Sequence, residues 1–160
     1  MRMTHHLVDV QVEEQVGDVD TTPIENAARL TLMSHPLDEP CELVIVISDD
    51  AALEDLNRRF RGVGHPTDVL AFPDDTRGPF SAGDGGAPRY LGDIVISLER
   101  AREQAEEAGG TLDQELQLLT VHGVLHLLGY DHGNEQEREQ MWAIQSEILR
   151  LLDADIPLPD

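Results

Sequence analysis

Thr111-Leu-Asp-Gln114-Glu-Leu-Gln-Leu-Leu-Thr-Val-His122-Gly-Val-Leu-His126-Leu-Leu-Gly129-Tyr-Asp-His132 holds a helix together with its start, its stop and its chemistry. Thr111 with Gln114 three residues on is a capping-box signature, in which hydroxyl and amide each satisfy a free backbone N–H. The helix runs to Leu128 and stops at Gly129, a residue free to take the left-handed conformation that closes a helix. His122 and His126, four residues apart, project from one face, about 40° apart around the axis and roughly 6 Å along it. The turn Tyr130-Asp131 can then swing His132 back toward the same point. Two unliganded imidazoles on a helix otherwise made of Leu118, Leu119, Val121, Val124, Leu125, Leu127 and Leu128 would need polar partners, which favours a ligand reading.

Three neutral imidazoles form a zinc donor set with one tetrahedral position open, the pattern of catalytic rather than structural sites. Cys41 is the single cysteine, so no pair of thiolates closes the set. The expectation is one zinc per chain on His122, His126 and His132. The other four histidines carry weaker signals: His5 and His6 at a terminus expected to fray, His35 before Pro36, and His65 in a glycine loop, the only one of the four weighed for the site.

Working outward, Asn134 with Glu137 repeats the capping pattern and opens a last helix whose Met141, Ile144, Ile148 and Leu151 recur at spacings of three and four. Residues 99–108 read as a helix ended by Gly109-Gly110. Leu7-Val8-Asp9-Val10-Gln11-Val12 alternates with period two and reads as a strand, as do 41–47, 67–72 and 91–98. Thr22-Pro23 opens a helix carrying Ile24, Ala27, Ala28, Leu30 and Thr31. Ser48-Asp49-Asp50 offers N-caps to a helix carrying Leu53, Leu56, Asn57 and Phe60 that stops at Gly62 and Gly64. Residues 73–89, rich in Gly, Pro and Asp, read as an inserted flexible loop, and 153–160 as a tail. The expected fold is α+β: one domain over 1–160, with a small mixed sheet of about four strands, about five helices, and the zinc site on a C-terminal helix and the turn after it.

Composition narrows the function classes. The longest purely apolar run, 43–47, is far short of the roughly 20 residues that span a bilayer, and no signal peptide follows Met1, so a cytoplasmic protein with no membrane partner is expected. Cys41 opens a strand-like run and reads as a small buried hydrophobe, which a reducing compartment suits. The 32 acidic residues face 11 basic ones, all arginine, for a formal charge of −21. Because the acids are spread along the chain, the charge reads as a solvated surface adapted to high salt rather than as a docking tail. Arg58, Arg59 and Arg61 form the densest basic cluster, and a guanidinium presents a planar fork suited to phosphate oxygens.

The histidine spacing is similar to the extended zincin pattern, His-Glu-x-x-His-x-x-Gly-x-x-His, but Gly123 stands where a metallopeptidase carries its glutamate base. Three segments together resemble the YbeY family of bacterial endoribonucleases that serve in ribosomal RNA maturation: 56–61 running on to Pro66-Thr67-Asp68-Val69-Leu70-Ala71-Phe72-Pro73, then Leu91-Gly92-Asp93-Ile94-Val95-Ile96-Ser97, then the histidine segment. The resemblance covers roughly residues 40 to 152. It implies that His122, His126 and His132 hold the zinc, that His122 and Arg61 serve catalysis, and that the substrate is single-stranded RNA, as a ribosomal RNA precursor or within the small ribosomal subunit. Asp68 and Asp93 fall in the matched segments and are candidates to orient a histidine. Two other classes stand beside this one: a zinc hydrolase of another bond, metallopeptidase-like, and a non-catalytic ribosome-assembly factor with structural zinc.

Overall fold

The computed structural model describes residues 6–37, 39–74, 88–131 and 133–152. Its elements are β1 (Leu7–Val12), a 3-10 turn (Glu14–Val16), α1 (Thr22–Met33), β2 (Cys41–Ser48), α2 (Asp50–Arg61), β3 (Val69–Pro73), β4 (Arg89–Ser97), α3 (Leu98–Ala108), α4 (Leu112–Leu127) and α5 (Glu135–Leu151). Short polar side chains start four of the five helices. Asp49 accepts from the N–H of Ala52, Ser97 from Arg100, Thr111 from Gln114 and Asn134 from Glu137. The Thr111–Gln114 box is complete in both directions.

The strands form one mixed sheet in the order β1-β2-β4-β3, with β1 and β2 parallel, β2 and β4 parallel, and β3 antiparallel to β4. Parallel neighbours need a long crossover, which α1 supplies between β1 and β2. Cys41, Leu43, Ile45 and Ile47 of β2 are fully buried while the residues between them are only half-buried, so one face of the sheet is the core face. Where β4 meets β2 the register skips a residue beside Gly92, whose φ of 138° and closeness to the Phe72 carbonyl leave no room for a side chain.

α4 is the central element and packs against β3, β4, α1, α3 and α5. Its Leu116, Leu119, Val124 and Leu127 join the core under the sheet, and its Leu118, Val121 and Leu125 join a second core with Ala27, Met141, Ile148 and Leu149. The helix closes in a Schellman motif: Gly129 N–H bonds the His126 carbonyl and Tyr130 N–H that of Leu125, both at 3.0 Å.

Several expectations shift. β4 begins at Arg89 and β3 reaches Pro73, so the connection read as 73–89 is shorter at both ends; its residues 75–87 lie outside the described residues, as do 153–160. His6 is not at a frayed end. It is buried, and its Nδ1 accepts from the N–H of Cys41 at 3.0 Å, tying the start of β1 to β2. Phe60 points outward at 65% exposure, Leu151 at 62%, and the face that α5 buries runs through Met141, Gln145, Ile148 and Leu149.

Gly129 has φ 103°, and a Cβ built there would meet nothing within 4 Å. The cost of a side chain is therefore conformational alone. Gly129→Ala should lower the urea unfolding free energy by about 1–3 kcal/mol; unchanged stability would show that the turn does not need a glycine.

Candidate functional site

The two described histidines of the histidine segment meet on α4. Their ring centroids are 4.7 Å apart at 75°, and both rings are half-buried. Gln145 of α5 lies behind His122, with Oε1 3.1 Å from Nδ1. A carbonyl oxygen only accepts, so Nδ1 carries the proton and the other ring nitrogen, Nε2, carries the lone pair. That is the form of histidine a metal ion requires. Among the described residues no three His, Cys, Asp or Glu side chains gather into a metal-holding group. His132, the third expected ligand, lies outside those residues.

Both histidines line a cleft of about 630 Å³ bounded by the C-terminal end of α4, strand β3 and the end of α2. Arg61 lines the same cleft, so three of the four residues singled out from sequence share one space. Arg58 and Arg59 each pair with Asp55 at 3.4 Å, whereas among the described residues Arg61 makes no ion pair. Asn57, buried in α2, donates to the His65 carbonyl at 3.0 Å and fixes the loop after Arg61. His65 itself is exposed, bonds Pro66 and does not line the cleft. Tyr130 closes the opposite side: His35 Nδ1 donates to the Thr31 carbonyl at 2.7 Å, so its Nε2 accepts from the Tyr130 hydroxyl at 3.2 Å.

The family model for Endoribonuclease YbeY matches residues 9–153. The chain belongs to the YbeY family. An Endoribonuclease YbeY of Roseiflexus sp. is 45% identical over 95% of this chain and 96% of its own length. One from Chloroflexus aurantiacus is 44% identical over 92% and 96%, and one from Mycolicibacterium gilvum 43% identical over 89% and 82%. A Thermotoga maritima protein solved in solution shares the fold at a TM-score of 0.55, with 22% identity over 93% of each chain.

In this member of the YbeY family, Gly123 is a packing requirement. A Cβ on it would stand 2.9 Å from Cγ2 of the fully buried Ile94 on β4, so a glutamate at the peptidase position has no room. The two aspartates weighed as histidine partners are engaged elsewhere. Asp68 accepts from the N–H of Val69 at 2.8 Å and from Gln104 at 3.2 Å, while Asp93 accepts from the Tyr90 hydroxyl. Burial, and then the charge of Asp74, raise the Asp93 carboxyl above its usual range. Neither aspartate is bonded to His122; Gln145 is.

Two buried polar residues on the helices around the site escaped the sequence reading. Gln145 breaks an apolar stripe at the i, i+4, i+7 positions of Met141, Gln145 and Ile148, which was its one signal. Glu115 stands on α4 two turns before His122 and is only 4% exposed. Burial, and then the charge of Asp68, push its carboxyl up to about 7. Its proton is held more tightly folded than unfolded, so the ionised group opposes folding as pH rises from about 4.5 through about 7. Glu115→Gln should therefore stabilise the metal-free protein by about 3 kcal/mol at pH 8 but only about 1 kcal/mol at pH 5. Urea unfolding at both values checks it, and an equal gain at both would refute the buried-acid assignment.

Proposed function

We propose that this chain is a zinc-dependent endoribonuclease that cuts single-stranded RNA in the cytoplasm, with a ribosomal RNA precursor or the small ribosomal subunit as its substrate. The observation that carries the reading is the meeting of His122, His126 and Arg61, an arginine without an ion pair among the described residues, in one open cleft of a YbeY-family chain. His122 and His126, with His132, would hold the zinc. The tautomer of His122 suits such an ion, because the Nδ1–H···Oε1 bond places the proton on Nδ1 and the lone pair on Nε2. A zinc ion held there would supply a Lewis acid for a phosphoryl oxygen and would lower the pKa of water toward about 7.

The chain's own groups supply the rest. The Arg61 guanidinium, fixed in charge and planar, takes two oxygens of the scissile phosphate and offsets the negative charge that grows on them as the phosphorus accepts a fifth oxygen. The close packing of Gly123 on Ile94 keeps a carboxylate away from that phosphate, where it would repel the substrate. Product ends identify the attacking oxygen: a 2′,3′-cyclic phosphate marks the neighbouring 2′-hydroxyl, and a free 5′-phosphate marks water. The peptidase reading loses its base at a position with no space for one.

Zinc-loaded protein incubated with ribosomal RNA precursors should cleave them and His122→Ala should not. Metal analysis should give close to one zinc per chain, reduced sharply in His122→Ala, His126→Ala and His132→Ala; full zinc in His132→Ala would remove the three-histidine site. Arg61→Ala should keep zinc and fold yet lose most activity, and Arg61→Lys should restore only part, since a point charge cannot make bidentate contact. Equal activity in Arg61→Lys and wild type would reduce Arg61 to bulk charge.

The charge of −21 bears on encounter. At 0.01 M salt the Debye length is about 30 Å, so the whole molecule repels RNA, while at 1 M it is about 3 Å and only short contacts remain. Affinity for one single-stranded RNA should rise from low salt before it falls, with melting temperature rising in parallel. A steady loss of affinity from the lowest salt upward would show that a local basic surface dominates.

A further inference from the structure

We infer that Gln145 is a positioning residue that holds His122 in the tautomer able to bind a metal ion; the inference deepens the zinc reading and rests on it. Gln145 is fully buried on α5, on the face shared with Met141, Ile148 and Leu149. A primary amide is an expensive occupant of such a place, and here it is only half satisfied. Oε1 accepts from His122 Nδ1 at 3.1 Å, while Nε2 has no hydrogen-bond partner among the described residues.

The amide has two ways to face the imidazole. Turned about, its NH₂ would donate to an unprotonated Nδ1, and Oε1 would take the unpartnered place. The ring proton would then sit on Nε2, and that nitrogen could not bind a cation without losing it. In the orientation present, the carbonyl accepts from Nδ1–H and Nε2 keeps its lone pair. Each arrangement leaves one amide atom without a partner among the described residues, and only the one present leaves the histidine fit to be a ligand. Asp68 and Asp93, bonded to Gln104 and Val69 and to Tyr90, do not supply this contact. Gln145 is neutral, so it fixes the ring without adding charge to a buried wall.

The test reads the ring directly. Long-range ¹H–¹⁵N spectra of the metal-free protein at about pH 8, with the His122 signals assigned by their loss in His122→Ala, should show the Nδ1–H form. Gln145→Met, which keeps the volume but cannot accept, should shift His122 toward the Nε2–H form and weaken zinc binding roughly 10- to 100-fold. Gln145→Glu, an acceptor of the same shape, should restore the Nδ1–H form. A wild-type spectrum in the Nε2–H form would overturn the inference even where the Met variant fails to fold, as would an unchanged tautomer and zinc affinity in Gln145→Met. Wild-type protein that shows the Nδ1–H form but takes up no zinc would instead overturn the zinc reading.

Discussion

The contact between Gly123 of α4 and Ile94 of β4 is the constraint on which the rest of the molecule depends. A helix can lie this close to a sheet only where it lacks a Cβ, and the approach lets α4 bury apolar residues on two sides at once. A fully buried leucine or valine is worth about 1.5–3 kcal/mol, and α4 places seven such side chains, divided between the core under the sheet and the core shared with α1 and α5. A helix held from both sides has little freedom to rotate, so His122 and His126 emerge into the cleft at fixed positions. The second core also carries α5 and, with it, Gln145. One glycine thus links the packing of the whole domain to the aim of two imidazoles.

Much of this was legible in the sequence, and the reason is local chemistry. Asp49, Thr111 and Asn134 announce helix starts because their side chains bond backbone N–H groups within three residues, and Gly129 announces a stop because few other residues accept its φ. The first strand followed from apolar alternation, the others from short apolar runs, and the neighbourhood of His122 and His126 from helical spacing. The meeting of Arg61 with the histidines was visible only through the likeness to a family, since about 60 residues of chain separate them.

What was not legible depends on partners distant in sequence. The stripe of α5 reads as Met141, Ile144, Ile148 and Leu151, and the first three do pack on the second core, but the packing on α4 also turns Gln145 and Leu149 inward and leaves Leu151 facing water. His6 looked like part of a loose end because nothing nearby shows that the Cys41 N–H needs an acceptor. Glu115 looked like one of 32 scattered acids, though it shares a helix face with His122 and is shut off from solvent. A charged or amide side chain standing where periodicity asks for an apolar one was the common signal, and it marks a place where the fold accepts a cost.

The strand order has a consequence for how the chain reaches its native state during synthesis. β4 is the last strand to be made and lies in the interior of the sheet, with β2 on one side and β3 on the other. Among the described residues β3 pairs with no other strand, and β2 lacks one neighbour until residues 89–97 have emerged. α4, which closes the core beneath them, comes later still. Pairings between segments far apart in sequence form slowly, because the loop must be closed before any contact rewards it. The nascent chain therefore carries β2 and β3 with open edges until β4 has emerged, and the core beneath them stays open until the histidine helix follows.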